Sequence, residues 1–355
     1  MDSIVSENFA FSSSVSADVW HPQKDDKSYE WWYFDALSDD GREAVIIIFL
    51  DNFVYSPRYN RETISISGNK RFPAVSFTYY RDGQILYRSV TEFHFSDFHA
   101  SEEVPECRIG ESSFRFERAP YGSGYFVSVN AEISGGRKID ANLEWLSIEA
   151  DLAPDDFCYQ ERRHCWNMVA PRADVTGRIT VKNDHGENLE EYHFRGTGYH
   201  DHNLDNRWLA MTVRDWHWGR VHFADSTAVF YRFRESDEED ATTRLILIRN
   251  GELQKHDVWF EEHDYVRDRF GIRYPSLMRL LSNDEIEMTI RPHGAVDSSF
   301  YFLRSLSEFT IMAGGSEPRT TMGLTEYISP RSLRHQWLNW LSDVRTGKDG
   351  RSSYF

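Results

Sequence analysis

The chain has 355 residues, 40% hydrophobic and 27% charged, which is long for one domain and comfortable for two. A net charge of −17 with no basic stripe argues against a nucleic-acid partner, because an acidic surface repels phosphate. No run reaches the ~20 apolar residues of a membrane helix, and residues 1–17 carry early acidic residues without the basic region and apolar core of a signal peptide. Three cysteines, Cys107, Cys158 and Cys165, make neither a disulfide framework nor a CxxC zinc spacing, so cytoplasmic residence is the default expectation.

In chain order the pattern predicts strand after strand. Ala44–Leu50 is a β-branched run of the kind buried on both faces. Ala74–Tyr80 and Gln84–Val90 flank Asp82-Gly83, a hairpin signal, and Ser113–Glu117, Tyr125–Ile133 and Asp140–Ala150 alternate in the same way. Arg244–Ile248 and Gln254–Phe260 flank a second hairpin signal, Asn250-Gly251; Glu285–Pro292, Ser299–Leu303 and Ser307–Ala313 follow. Ser236–Asp240 reads as a solvated acidic loop. Helix is expected only at Pro330–Arg345, where Leu333, Trp337, Leu341 and Val344 recur at helical spacing, and as a short helix over Tyr274–Leu281 capped by Ser276. The expected fold is all-β, two antiparallel barrels or sandwiches packed together with a C-terminal helix. The boundary is placed by the Asn183-Asp184-His185-Gly186 turn, giving domains 1–195 and 196–355.

The 11 Trp, 18 Tyr and 24 Phe suit a large β-core, with some free to line a cavity for a flat or polyene ligand. Two signatures stand out: His164-Cys165-Trp166 and Gly198-Tyr199-His200-Asp201-His202-Asn203. On strands, His164 and Trp166 share a face, and so do Tyr199 and Asp201. Burial on an apolar face disfavours the ionised form of Asp201, and a carboxyl kept neutral can donate a proton to an alkene. The cation formed is stabilised by aromatic faces, roughly 0.5–2 kcal/mol per contact. Trp166 and Tyr199 are candidates for that task. Trp31, Trp32, Tyr33, Trp216 and Trp218 are candidate wall residues. His164 would orient the acid or activate the quenching water, and Asn203 is given no catalytic role. The bland alternative is a satisfied polar cluster at a domain seam.

A metal site is the rival reading. His200 and His202 share the other face, with His217 and His222 on nearby segments, but no HExxH occurs and the spacing identifies no third ligand. Neither a Gly-rich phosphate loop nor a GxSxG elbow is present.

Trp20-His21-Pro22-Gln23, Tyr29-Glu30-Trp31-Trp32-Tyr33-Phe34-Asp35-Ala36, His164-Cys165-Trp166, Ala170-Pro171-Arg172-Ala173, Gly196 through Asn203, Trp216-His217-Trp218-Gly219 and Met322 through Tyr327 together resemble the carotenoid 1,2-hydratase family and its AttH-like relatives. The resemblance implies two lipocalin-like β-domains with a hydrophobic pocket between them. It implies cofactor-free, metal-free addition of water to the terminal alkene of an acyclic isoprenoid such as a carotenoid, with His164, Trp166, Tyr199 and Asp201 at the site and Asp201 as proton donor. One departure is the Tyr199-His200-Asp201-His202-Asn203 run, where hydratases carry a Tyr-Leu-Asp-Ser-Asn type, and Leu204-Asp205 replaces the usual Trp-Gly. The leading reading is therefore a hydratase, or a cyclase with the same proton-first step, acting on a lipophilic small molecule. A pericyclase that folds a polyene and a non-catalytic carrier of an apolar metabolite are the alternatives. Trp337-Leu338-Asn339-Trp340-Leu341 is expected to plug or brace a barrel, with peripheral contact with a membrane surface as the alternative.

Overall fold

The computed structural model describes residues 9–22, 25–61, 71–119, 122–153, 164–235, 241–335, 337–338 and 343–353. Cys158 and the acidic run 236–240 lie outside them. The chain divides into two compact units, residues 1–209 with 335–355, and residues 210–334.

The first unit is built on β1 (Phe9–Ser12), β2 (Tyr29–Ser38), β3 (Glu43–Leu50), β4 (Ala74–Arg81), β5 (Gln84–Glu92), β6 (Phe98–Ala100), β7 (Glu106–Ile109), β8 (Ser112–Ala119), β9 (Gly122–Ile133), β10 (Arg137–Glu149), β11 (His164–Lys182) and β12 (Asn188–Asp205). They form one sheet in the order β5-β4-β3-β2-β12-β11-β10-β9-β8-β7-β6, with β1 added in parallel to β11. Strand β12 therefore lies mid-sheet, paired with β2 on one side and β11 on the other. One face carries the core: Trp32, Phe34 and Ala36 of β2, Val45, Ile47 and Phe49 of β3, Val75, Phe77 and Tyr79 of β4. Ala44–Leu50 is nearly all buried on both faces, as its β-branched composition demands.

The second unit is a closed barrel of β13 (Asp215–His222), β14 (Thr227–Arg234), β15 (Thr242–Arg249), β16 (Glu252–Arg267), β17 (Arg273–Ser282), β18 (Ile286–Ser298), β19 (Phe302–Ala313) and β20 (Arg319–Ile328), in chain order. Val221, Phe230, Leu245, Leu280, Met288 and Phe309 fill it. The all-β class holds, and among the described residues helix is scarce: Pro57–Arg61, Leu209–Thr212, and residues 337–338 and 343 near the C-terminus. Both hairpin signals form turns with positive φ, 52° and 74° at Asp82-Gly83 and 53° and 76° at Asn250-Gly251, the backbone that Asn, Asp and Gly tolerate.

Four expectations are corrected. The 195/196 boundary falls inside β12, and the Asn183–Gly186 turn is a hairpin within the first sheet. There Asn183 Oδ1 accepts from the amides of His185 (3.0 Å) and Glu187 (2.9 Å). The C-terminal segment belongs to the first unit, because Gly347 bonds to the β5 backbone at Val90 O (2.8 Å) and Glu92 N (3.0 Å). Tyr274–Leu281 is strand: Met278 and Leu280 are buried inside the barrel at period two, and Ser276 Oγ donates to Asp264 O (2.6 Å) instead of capping a helix. Ser299–Leu303 is no separate strand, since β19 starts at Phe302 and runs on through Ala313. The C-terminal helix begins as a 3-10 turn, Pro330–Arg334, anchored by buried Leu333; residues 336 and 339–342 lie outside the described ones. Among the described residues no helix is long and apolar enough to cross a membrane.

Candidate active site

Strand alternation builds the site. Tyr199, Asp201 and Asn203 leave one face of β12, and the register sets Tyr33 opposite Asp201, and Trp31 and Trp166 opposite Asn203. Trp166 Nε1 donates to Asp201 Oδ2 (3.0 Å) and lies 3.2 Å from the Tyr199 hydroxyl, which is itself 2.8 Å from the same Oδ2. Asn203 Nδ2 donates to Asp201 Oδ1 (2.8 Å). Tyr199, Trp166, Asp201 and Asn203 are all buried. A carboxyl, a phenol and an indole thus meet at one oxygen away from water, as the pairing in the sequence predicts.

His164 joins at one remove. It lies 3.4 Å from the Tyr29 hydroxyl and is hydrogen-bonded to the Asn203 side chain, whose Nδ2 is committed to Asp201. Burial, and then the charge of Arg207, hold its pKa down at about 3, so the imidazole is neutral at physiological pH.

Rings surround the cluster. Phe11 packs on Trp166 (centroids 5.1 Å), Phe9 on His164 (5.8 Å), Tyr33 on Tyr199 (6.3 Å), and Tyr29 stacks on Trp31 (4.9 Å). The sequence reading missed Phe9, Phe11 and Tyr29, and gave Asn203 no part although the same two-residue spacing that joins Tyr199 to Asp201 reaches it. Of the expected wall residues, Trp31 and Tyr33 share the Asp201 face. Trp32 does not: it points to the core, stacked on His202 (4.7 Å), because it is one residue out of phase. Trp216 and Trp218 belong to the second unit, on the face of β13 turned from the barrel interior, where Trp216 stacks with Tyr231 and Phe233.

The opposite face of β12 carries a second polar cluster. His200 Nδ1 donates to Tyr33 O (3.0 Å), and its Nε2 lies 3.0 Å from Asp18 Oδ2, which also accepts from Tyr125 (2.5 Å). His202 bridges Asp18 Oδ1 (3.1 Å) and Glu30 Oε1 (2.8 Å), and His21 Nδ1 reaches the same Glu30 oxygen (2.9 Å). Burial would favour a neutral Asp18, but His200 and His202 hold it down at about 2. Burial likewise opposes charge on His202, yet Asp18 and Glu30 push it up to about 9. His217 and His222 take no part in this cluster: in the second unit His217 pairs with Glu262 (3.1 Å) and His222 with Thr227 (3.2 Å).

The structure is similar to that of a putative AttH from Nitrosomonas europaea, with a TM-score of 0.61 at 15% identity over 88% of this chain and 94% of the other. In sequence the chain is 24% identical to a hydroxyneurosporene dehydrogenase of Chlorobaculum tepidum, over 94% of this chain and 91% of the relative. It is 26% identical to an acyclic carotenoid 1,2-hydratase of Rubrivivax gelatinosus, over 64% of this chain and 54% of the relative. The family model for carotenoid hydratase CrtC matches residues 147–353, a span that holds β11, β12 and with them the whole Trp166–Tyr199–Asp201–Asn203 cluster. That match covers more than half of the chain, which belongs to the CrtC carotenoid hydratase family.

Proposed function

We propose that the chain adds water to an alkene of a lipophilic isoprenoid or polyene, with Asp201 as the acid. The observation that carries this reading is the convergence of Trp166 Nε1 and the Tyr199 hydroxyl on Asp201 Oδ2, on a buried, ring-lined face. A hydroxyl can donate or accept. With Asp201 protonated on Oδ2, the Tyr199 oxygen accepts that proton's hydrogen bond, and the Trp166 N–H, within reach of both oxygens, shifts toward the phenol. The alkene π-electrons take the proton from Oδ2, forming the C–H bond and leaving a carbocation and a carboxylate. The three donors around Asp201 then stabilise the charge it acquires.

Water adds to the cation, its oxygen forming the C–O bond, and the proton it sheds returns to Asp201. Neutral His164, linked to Asp201 through Asn203, orients that water or steadies the carboxyl. Trp166, Tyr199, Tyr33 and Trp31 offer π-faces to the cation. The carbon skeleton, the acid and the water balance with no redox partner.

Incubation with an acyclic terminal alkene in deuterium oxide tests the reading. The expected product is an alcohol with one carbon-bound deuterium. Asp201→Asn should lower turnover ~100-fold or more while leaving substrate binding intact. Unchanged turnover in that variant refutes the mechanism. Conversion without carbon-bound deuterium would assign the chain to the polyene-folding alternative, and binding without conversion to the carrier.

A further inference from the structure

His21 Nδ1, a Glu30 carboxylate oxygen and His202 Nε2 come from three separate parts of the first unit and lie within 4.8 Å of one another. We propose that these three residues bind one divalent transition-metal ion of the zinc class, behind the strand that carries Asp201. Two imidazoles and a carboxylate are the donor set that such ions take. Glu30 Oε1 is 2.8 Å from His202 Nε2 and 2.9 Å from His21 Nδ1. Ligand bonds of ~2.0–2.2 Å need ligand atoms roughly 3.0–3.5 Å apart, so the two pairs through Glu30 need to open by only a few tenths of an ångström.

Two further features favour a cation here. Asp18 Oδ1 sits 3.1 Å from His202 Nδ1. As placed, the two atoms fall short of hydrogen-bond geometry; a small turn that aligned the Nδ1–H with the carboxylate would fix the tautomer that leaves Nε2 as a lone pair, the arrangement found behind metal-bound histidines. The surroundings are also rich in carboxyl groups. Asp18, Glu30 and Asp51 are fully buried, and the Glu30 amide donates to Asp51 Oδ1 (2.8 Å). One permanent cation beside them is Arg71, on Asp51 Oδ2 (2.6 Å). A dication held by His21, Glu30 and His202 would offset the negative charge of the carboxylates gathered here. Glu30 and His202 stand on paired mid-sheet strands, while His21, whose side chain is 14% exposed, leaves an entry from solvent. The ion would tie the segment 18–21 to β2 and β12.

The test uses the full chain, stripped with a chelator and titrated with Zn2+ by calorimetry and with Co2+ by visible absorption. Expected are one ion per chain, a raised Tm, and a Co2+ spectrum of low-symmetry coordination. His21→Ala, a change at a partly exposed position, should weaken Zn2+ binding about a hundredfold or more. His193→Ala, on the exposed outer surface, should leave it unchanged. If Zn2+ and Co2+ fail to bind the folded wild-type chain, or bind His21→Ala equally well, the cluster is an ion-pair network only and the proposal falls. Activity is not the readout, so this outcome and that of the Asp201 experiment are independent.

Discussion

Replacing Gly198 by alanine is the sharpest structural test of how the site strand is seated. Gly198 precedes Tyr199 and lies on the core side of β12, where a β-carbon would stand 2.5 Å from Trp145 Nε1, 2.5 Å from Val175 Cγ2 and 2.6 Å from Asp35 O. Its φ is not positive, so close approach and not backbone freedom demands glycine. The added methyl would wedge into the Trp145 Nε1–Asp35 O hydrogen bond (3.1 Å), in which the indole is fully buried and packed edge-on against Phe34. Overpacking a rigid core costs about 1–3 kcal/mol. Breaking that bond strands a buried N–H at a further ~1–3 kcal/mol. Against this stands a gain of about 0.4–1 kcal/mol from stiffening the unfolded chain. The net expectation is a loss of roughly 1–5 kcal/mol. Urea unfolding followed by tryptophan fluorescence measures it. Trp145→Phe removes the indole nitrogen, so the double variant should show a favourable coupling of ~1 kcal/mol or more. A Gly198→Ala chain within about 0.5 kcal/mol of wild type, with no coupling to Trp145, would refute the reasoning.

Three other outcomes follow from the same geometry. Trp166→Phe removes the N–H on Asp201 Oδ2 but keeps a ring against Phe11, so a loss of ~1.5–3 kcal/mol should appear as a ~10–100-fold fall in kcat with KM nearly unchanged. A matching rise in KM would mean that the indole only packs. His164, held at about 3 by burial and then Arg207, takes up a proton in the unfolded chain at a higher pH than in the folded one. The unfolded state therefore binds more protons below ~6.5, and folding stability must fall by about 3 kcal/mol from about pH 7 to about pH 4 on this account alone. His164→Gln should flatten the measured slope by that amount; an unaltered slope assigns it to other groups. Arg71→Met leaves Asp51 buried without its guanidinium partner, and thermal and urea unfolding should record a loss of ~3–5 kcal/mol. A change under about 1 kcal/mol would show that the pair contributes little.

The strands were legible because alternation and turn chemistry agree. Asp82-Gly83 and Asn250-Gly251 could only turn, and Ala44–Leu50 could only be a strand buried on both faces. The same alternation placed Tyr199 with Asp201 and His164 with Trp166. It failed where two periods compete: in Tyr274–Leu281, Leu277 and Leu281 are spaced for a helix, and pairing with β16 and β18 decides for strand. Trp32 was grouped with its neighbours by residue type when its phase already set it against them. Phe9 and Phe11 could not be found, since a four-residue parallel strand leaves no periodic trace and its pairing partner begins 155 residues on. The third partner sought for His202 was out of reach for a similar reason: Asp18, His21 and Glu30 meet it only through the fold.

Position within the sheet explains why one strand can hold two unlike clusters. Asp201 and His202 are adjacent in sequence, yet point to opposite faces, one toward Trp166 and Tyr199, the other toward Asp18 and Glu30. A slip of one residue would exchange them and bury His202 among the rings. Pairing on both sides opposes that slip, and so does close approach: a β-carbon at Gly196 would meet Leu37 O at 2.1 Å, so β12 is pressed against β2 at the point where the motif begins. Three donors to Asp201, from Trp166, Tyr199 and Asn203, stand on β11 and β12 themselves, the best-braced part of the sheet. Under the proposed mechanism this rigid placement of an acid and its donors is what protonation of a weakly basic alkene would require, because the transition state leaves little free energy for reorganising the site. The ring lining is free of that demand. Among the described residues, Phe9 and Phe11 sit on a short strand paired with β11, where they pack on His164 and Trp166 without bonding to the carboxyl.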